Sequence, residues 1–219
     1  MPTPAPTPRR ILLADADAFF CAVARLVDPE GAGRAPLLVV GGRPGSRGVV
    51  CSASYEARRY GVRSAMPIAR AQRLCPQAMF VPVPRRACGD KSRAIRRVLE
   101  RFAPVVEAAS IDEWYLDLSG TEGLYREPLA DTAARIRGAV LADTELSVSF
   151  GGGSTKTVAK LAADLAKPRP GTDATGVFIV PAGDEEAFMR RFAIADIPGC
   201  GPKLQARLHA LGIRTVADV

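Results

Sequence analysis

Residues 11–20 read ILLADADAFF, and this stretch decides the fold. The apolar run 11–14 predicts a short buried β-strand, because such a run bounded by polar residues is typical of one. Asp15 and Asp17 follow the run directly, so the strand delivers two carboxylates at its end. Carboxylates crowded together repel one another unless a cation lies between them. The stretch therefore predicts an acidic site at one end of a sheet.

A second pair of acids lies between two further predicted strands, 105–109 and 114–118, which we expect to pair antiparallel. Asp112 and Glu113 fall at their junction. Mg²⁺ prefers such oxygen ligands and keeps positions for substrate phosphates. Two ions, roughly 3.5–4 Å apart, can stabilise both oxygens of an in-line displacement. Each acidic cluster alone is more typical of turns and helix caps, but the two together favour a metal site.

Composition indicates a soluble globular protein of 219 residues, with 47% hydrophobic and 24% charged residues. The net charge of +7 is consistent with a polyanionic partner, although many basic proteins bind none. Five cysteines without C-x-x-C spacing argue against a disulfide framework and a zinc site. No apolar run is long enough to span a bilayer, and residues 1–9 are expected to form a disordered Pro-rich tail. We expect a reduced, cytoplasmic protein without a membrane partner.

The remaining pattern mixes helices with strands. It predicts an α+β sheet with helices packed on it, rather than a doubly wound parallel sheet. Further strands are predicted over 36–40, 48–51, 146–150 and 177–180, and helices over 19–26, 55–60, 67–74, 90–102, 129–141, 155–166, 185–192 and 204–211.

Two basic segments could hold phosphates. Tyr55 and Arg58 are three residues apart on a predicted helix and share a face, where an arginine can fork onto phosphate oxygens. Lys156 and Lys160 lie one helical turn apart, so both could face the same phosphates. An ordinary basic helix surface is the alternative interpretation in both cases.

Five segments resemble, in order, motifs of the Y-family (translesion) DNA polymerases, most closely the bacterial DNA polymerase IV branch. They are residues 15–20, 55–67, 110–117, 156–168 and 197–201, and the resemblance covers nearly the whole chain from Arg10 onward. The sequence departs from the family pattern at Cys88, at Trp114 and in the glycine-rich stretch 151–154, none of which is a metal ligand.

The resemblance implies a right-hand polymerase palm with a mixed or antiparallel sheet, small fingers, and a partial helical thumb that contains a helix-hairpin-helix. The expected boundaries are 10–27 and 85–172 for the palm, 28–84 for the fingers and 173–219 for the partial thumb. The rest of the thumb and the little finger domain would lie beyond Val219. The chain would then be either a fragment or a naturally minimal protein.

The resemblance also implies roles for individual residues. Asp15 and Asp112 would ligate two Mg²⁺ ions, which Mn²⁺ can replace, and the Ala16 carbonyl would assist. Glu113 would be the third carboxylate, beside the primer 3′ hydroxyl, whereas Asp17 matches the pattern without an assigned role. Phe20 would exclude a ribose 2′ hydroxyl; core packing is its alternative. The incoming triphosphate would be held by Ser52, Tyr55, Arg58 and Lys160, aided by the backbone amides of Ala18, Phe19 and Phe20.

Residues 197–201 resemble the family's DNA-gripping hairpin. Gly199 and Gly201 would let backbone N–H groups approach a phosphate, with Lys203 in the following helix. Such contacts are independent of base sequence and weaken with salt. A simple turn between helices is the alternative.

The function implied is nucleotidyl transfer, in which a primer hydroxyl attacks the α-phosphate of a deoxynucleotide and pyrophosphate leaves. The partners would be primer–template DNA and deoxynucleoside triphosphates, the chain would be a monomer, and a sliding clamp would bind through residues outside it. Two alternatives stay open: a weak or inactive DNA-binding accessory protein of the same fold, and a nucleotidyl cyclase, against which the hairpin and the basic surplus count.

Overall fold

Two sheets organise the chain in the computed structural model, which describes residues 8–168 and 171–219. The strands are β1 Ile11–Ala16, β2 Leu38–Gly41, β3 Val50–Ala53, β4 Met79–Val81, β5 Val105–Ala108, β6 Glu113–Asp117, β7 Val148–Gly153 and β8 Val177–Ile179. The helices are α1 Phe19–Val27, α2 Tyr55–Arg59, α3 Ile68–Leu74, α4 Arg85–Leu99, α5 Glu122–Tyr125, α6 Leu129–Thr144, α7 Lys156–Ala166, α8 Glu185–Met189 and α9 Pro202–Ala210. Most of the predicted tail, 1–9, lies outside the described residues.

The main sheet has the strand order β5-β6-β1-β7-β8. Its neighbours pair antiparallel except β7 and β8, which are parallel. Central strand β1 is buried along its whole length because helices cover both of its faces. Leu12 and Ala14 pack into the core that α1, α4 and α6 share, whereas Ile11 and Leu13 pack against α7. This alternation explains why the strand reads as a continuous apolar run.

The small sheet has the order β3-β2-β4, and α2 and α3 pack on it. The predicted strands 36–40 and 48–51 correspond to β2 and β3, which pair antiparallel, whereas β4, which pairs parallel to β2, was not predicted. Its three residues are too few to show a period, and Met79 is exposed. Cys21 of α1 packs against Leu38 and Val40 of β2, so α1 joins the small sheet to the main one.

Helix α7 lies unusually close to β7, because β7 ends in three glycines. A Cβ atom on Gly151 would lie 2.0 Å from the backbone nitrogen of Ala163 and 2.2 Å from the carbonyl oxygen of Ala159. The sequence pattern ended this strand at residue 150, since glycine disfavours strands, whereas the structure extends it to Gly153. The glycine-rich departure from the family pattern is therefore a close-packing device.

Other differences from the sequence-based expectations are small. Helix α4 begins at Arg85, five residues earlier than predicted, and Pro84 immediately precedes it. The short helix α5 was not predicted. The α+β fold class is confirmed, and no helix in the described part of the chain is long and apolar enough to cross a membrane.

Candidate active site

Strand pairing brings the predicted acids together at one end of the main sheet. Asp15 of β1 and Glu113 of β6 are direct cross-strand partners, and side chains in such positions lie within about 5.5 Å at Cβ. The backbone N–H of Ala16 donates to the carbonyl oxygen of Asp112 at 2.9 Å, which places Asp112 at the same strand end. Asp15 is buried and Glu113 is half-buried. The two motifs, almost a hundred residues apart in sequence, therefore form one acidic site.

Two lysines from α7 neutralise this site. The Nζ atom of Lys167, the residue that ends the helix, lies 2.7 Å from Oδ2 of Asp15. The Nζ atom of Lys160 donates to Oε1 of Glu113 and lies 3.8 Å from Oδ2 of Asp15. Lys156, one turn earlier, does not join them, because its Nζ atom is paired with Glu107 at 2.5 Å. Of the predicted lysine pair, only Lys160 reaches the acids.

Burial and charge act against each other in this cluster. Burial raises the pKa of Asp15 to about 6, although the ammonium group of Lys167 opposes the rise. Burial also disfavours the charge on Lys167, but the Asp15 carboxylate outweighs it and raises the pKa of that lysine to about 12. The pKa of Lys160 is likewise raised, because Glu113 outweighs the effect of burial. At neutral pH the Asp15 carboxylate and both ammonium groups therefore carry charge.

Asp17 and Asp112 are held by serine hydroxyl groups. Both carboxylate oxygens of Asp17 accept hydrogen bonds, from Ser147 and Ser149, each at 2.7 Å. Asp112 accepts a hydrogen bond from Ser110 at 2.5 Å. The structure thus gives Asp17 a role in joining the end of β1 to β7, for which its position after the strand gave no signal.

The oxygen atoms of the acidic site suit Mg²⁺. In their present side-chain positions, no three His, Cys, Asp or Glu residues in the described part of the chain lie close enough together to hold an ion. Carboxylate and carbonyl oxygens are the ligands that Mg²⁺ prefers. The Lys160 ammonium group already occupies a cationic position between Asp15 and Glu113. The residues present therefore fit a divalent cation in place of the ammonium groups.

Tyr55 and Arg58 link the small sheet to the acids. The guanidinium group of Arg58 lies 5.1 Å from the centroid of the Tyr55 ring, and its Nε atom donates to the carbonyl oxygen of Ala53 at 2.9 Å. Burial raises the pKa of Tyr55, and the nearby Asp17 carboxylate raises it further, which places the phenol beside the acidic site. Ser52 is buried, and its hydroxyl group interacts with the Cys21 thiol.

The start of α1 lies between the acids and the small sheet. Ala18 adopts a left-handed conformation with φ of 45°, which turns the chain from β1 into the helix. The amides that follow belong to the first helical turn, where N–H groups have no partner within the helix. Phe19 is buried in the core beneath the main sheet. Phe20 is half-buried and packs both there and against the cluster between α1 and β2.

Comparison with known proteins identifies the family. A family model described as impB/mucB/samB matches residues 14–164.

The chain belongs to the impB/mucB/samB family.

Relatives and solved structures agree with this assignment. A DNA polymerase IV of Dehalococcoides mccartyi is 38% identical over 208 residues, covering 95% of this chain and 51% of the relative. A DNA polymerase IV of Halorhodospira halophila is 41% identical over 215 residues, covering 96% of this chain and 57% of the relative. An insertion ternary complex of Dbh DNA polymerase matches with a TM-score of 0.83 at 32% identity, covering 95% of this chain and 59% of that one. DinB from Sulfolobus solfataricus matches with a TM-score of 0.81 at 33% identity and the same coverage.

The predicted resemblance to Y-family DNA polymerases is therefore confirmed, and the α+β fold is theirs. The chain spans about half the length of the curated impB/mucB/samB relatives that it matches.

The predicted hairpin of this family member begins at Ile197, which packs against the cluster containing Val158 and Leu161 of α7. Gly199 has φ of 84° and turns the chain, Gly201 precedes α9, and Lys203 is exposed on that helix. The helix before the hairpin is a single 3₁₀ turn, Ile194–Asp196, rather than a full α-helix. Pro198 and Gly199 follow this turn closely and cannot easily continue a helix.

Sequence reasoning missed Lys167 at the acidic site. The residue lies seven positions after Lys160, which is two helical turns, so the two ammonium groups can point to the same side of α7. That spacing was the available signal. It was overlooked because Lys167 precedes Pro168 at the helix end, where a lysine is usually a solvent-exposed partner of the last carbonyl groups.

Proposed function

We propose that this chain is the catalytic core of a template-directed DNA polymerase of the translesion type, which adds deoxynucleotides to a primer 3′ end. One observation carries the proposal: Asp15 and Glu113 are cross-strand partners at a sheet end that also holds Asp112 and two lysines of α7. The names of the relatives and the polymerase structures support the same activity. Translesion synthesis would make the protein part of DNA repair and damage tolerance.

The acids would hold two Mg²⁺ ions, or Mn²⁺ in their place. Asp15 and Asp112 would bind both ions with help from the Ala16 carbonyl group, and Glu113 would lie beside the primer hydroxyl group. When bound, the ions would stabilise negative charge on the attacking and leaving oxygens of the reaction. The primer oxygen would form a bond to the α-phosphorus as the bond to pyrophosphate breaks, and the hydroxyl proton would leave to the carboxylate side of the site.

The remaining residues would position the nucleotide. Tyr55 and Arg58 lie beside the acids, where a phenol and a guanidinium group can donate to phosphate oxygens. Lys160 and Lys167 would exchange their carboxylate partners for phosphate oxygens, because the triphosphate adds negative charge beside the acids. Amides of Ala18 to Phe20 would donate to the same phosphates. Most of the rate enhancement would come from positioning and electrostatic stabilisation, as in phosphoryl transfer generally.

Three further roles belong to the proposal. The half-buried Phe20 ring would close the site against a ribose 2′ hydroxyl group and select deoxynucleotides. Buried Ser52 would support the triphosphate site from β3. Gly199, Gly201 and Lys203 would bind the DNA backbone without reading its sequence. We infer a cytoplasmic monomer whose substrates are primer–template DNA and deoxynucleoside triphosphates, and whose clamp contact, if it has one, lies outside this chain.

The test is extension of a labelled primer by the 219-residue chain with Mg²⁺ or Mn²⁺ at low salt. Asp112→Ala should abolish extension. Asp117→Asn is a matched control, since Asp117 lies at the opposite end of β6 and pairs with Arg9, and it should extend normally. Equal extension by both variants would refute the assignment of the acids.

A chain that binds DNA without extending it requires a second experiment. Appending a little finger domain from a Y-family polymerase should restore extension if only the grip on DNA is insufficient. Continued absence of extension, with binding that is indifferent to Mg²⁺ and to Asp112→Ala, would contradict the polymerase proposal and favour a DNA-binding accessory role. Product formed from a nucleotide without any primer would instead indicate a cyclase.

A further inference from the structure

Most of the net positive charge of the chain lies in the segment around the small sheet. Residues 28–84 contain eight arginines, no lysine and three acids, a net charge of +5 out of the total of +7. Between residues 43 and 73 there are seven arginines and a single acid, Glu56. A surplus this concentrated produces a positive surface, and it lies on a unit of only two short helices and three short strands.

Five of these arginines are exposed and, among the described residues, make no ion pair or side-chain hydrogen bond. They are Arg43, Arg47, Arg59, Arg70 and Arg73, which we call the arginine face. Three exposed arginines on α4 and just beyond its end are neutralised instead: Arg93 pairs with Asp90 at 2.6 Å, Arg96 with Glu100 at 2.7 Å and Arg101 with Asp143 at 2.7 Å. The arginine face is thus positive because its arginines lack acidic partners, and not only because they are many.

Backbone contacts bring the arginine face together. The N–H group of Ile68, at the start of α3, donates to the carbonyl oxygen of Gly48 at 3.0 Å, so the loop carrying Arg43 and Arg47 adjoins α3. Arg70 and Arg73 are three residues apart on that helix and share a face. Gly61, two residues after Arg59, approaches the side chain of Leu74 at the other end of α3.

An exposed aromatic ring lies next to the charge. Tyr60 follows Arg59 directly at the end of α2, and 48% of its surface is exposed. Surfaces that bind single-stranded nucleic acid combine positive side chains that follow the backbone with aromatic rings on which unpaired bases stack. A duplex keeps its bases stacked on one another, so an exposed tyrosine offers it nothing comparable.

We propose that the arginine face and Tyr60 bind single-stranded nucleic acid, specifically the unpaired template strand ahead of the copied base. The identity of that strand rests on the proposed function. Tyr55, at the start of the same short helix α2, lies within electrostatic range of Asp17 and Asp15, and Arg58 packs on its ring, whereas Arg59 and Tyr60 at the helix end are exposed. A template strand that leaves the site past α2 therefore reaches the arginine face next.

The first test measures the binding of a fluorescent oligothymidine by anisotropy over a range of salt concentrations. For single strands the slope of log K against log salt is about −0.7 for each phosphate neutralised. The triple variant Arg59→Gln, Arg70→Gln, Arg73→Gln should therefore lower the magnitude of the slope by about 2. The matched control, Arg93→Gln, Arg96→Gln, Arg101→Gln, removes the same charge from ion-paired positions and should leave the slope unchanged.

Tyr60→Ala separates stacking from charge. It should weaken oligothymidine binding about tenfold at every salt concentration without changing the slope, because stacking involves no counterion. Circular dichroism spectra and melting temperatures equal to those of the parent chain would establish that these exposed substitutions leave the fold intact. Equal salt slopes for the two triple variants would overturn the proposal. Polyglutamate that competes as strongly as unlabelled oligothymidine would also overturn it and would indicate an acidic peptide partner.

Primer extension then distinguishes this inference from the proposed function. The DNA substrates carry a template 5′ overhang of either two or twelve nucleotides. The parent chain should show a lower KM for the DNA with the longer overhang. The arginine-face variant should have the same KM for both DNA substrates at an unchanged kcat. Extension by the parent chain that is indifferent to overhang length would overturn the inference and leave the polymerase intact. Failure to extend any template, with the salt slopes as expected, would instead contradict the proposed function.

Discussion

Gly151→Ala should separate helix α7 from the sheet that it packs against. The added Cβ atom would lie 2.0 Å and 2.2 Å from two backbone atoms of α7, and no rotamer change can relieve a contact with backbone. Overpacking of a core usually costs about 1–3 kcal/mol. Alanine also restricts the unfolded chain, which offsets the cost by about 0.4–1 kcal/mol. Because backbone must move here, the cost lies near the upper end of its range, and we expect a net loss of about 2 kcal/mol in the free energy of unfolding.

A loss of that size should lower Tm by about 4–8 °C, since each kcal/mol corresponds to about 2–4 °C in a chain of this length. Gly138→Ala is the matched control. Gly138 lies on the exposed side of α6, and no atom lies within 4 Å of the position that an added Cβ atom would take, so the change should stabilise the protein by about 0.5–1 kcal/mol. Calorimetry and urea unfolding measure both variants.

The same substitution at Gly151 should also disturb the acidic site. Helix α7 carries Lys160, and its displacement would move the ammonium group away from the carboxylates. Primer extension at a temperature where Gly151→Ala remains folded should therefore fall more than that of any variant with an equal Tm elsewhere in the chain. A Gly151→Ala protein with the parent Tm would refute the conclusion that the glycine permits the close approach.

Three further predictions concern single side chains. Lys167→Met should destabilise the metal-free protein by about 3 kcal/mol at pH 8 and by much less at pH 5, as measured by urea unfolding. The effect of the substitution grows with pH because burial raises the pKa of Asp15 to about 6. Below that pH the protonated carboxyl group is stable in its buried position, and this stability is lost as the pH rises through the pKa. In the absence of nucleotide, Lys160→Met should tighten the binding of Mn²⁺, as measured by electron paramagnetic resonance. Lys156→Met, one helical turn earlier, should leave that binding unchanged. Iodoacetamide at pH 8 should alkylate exposed Cys51 and spare Cys88, because burial raises the pKa of the Cys88 thiol to about 11. Mass spectrometry measures both sites, and alkylation of Cys88 before Cys51 would contradict the prediction.

The central strand and the acids could be predicted because local pattern and long-range geometry agree there. The run 11–14 is apolar on both faces, which indicates a strand covered on both sides. Asp15 follows it, and the junction at Asp112 and Glu113 lies between two strands that must pair. A carboxylate at the end of a central strand and another at the turn that leads into an adjacent antiparallel strand meet at the same end of the sheet.

Other features depend on partners that sequence spacing cannot identify. Strand β4 exists because β2 offers a free edge to three residues that have little pattern of their own. Gly151 reads as a strand breaker until the distance to α7 is known. The role of Asp17 depends on Ser149 of β7 and on Ser147 just before that strand, about 130 positions away in the sequence. In each case tertiary packing overrides a local preference.

The glycines of β7 and the lysines of α7 are two parts of one arrangement. Buried Asp15 needs a positive partner, and helix α7, which packs on both β7 and β1, supplies one. A side chain at Gly151 would hold that helix away from the sheet, and the ammonium groups would no longer reach the carboxylates. The glycine run has a weak strand propensity, but its lack of side chains lets α7 pack closely through its own small residues, Ala159, Ala162 and Ala163. This close packing allows the helix to bring two positive charges to the acidic site.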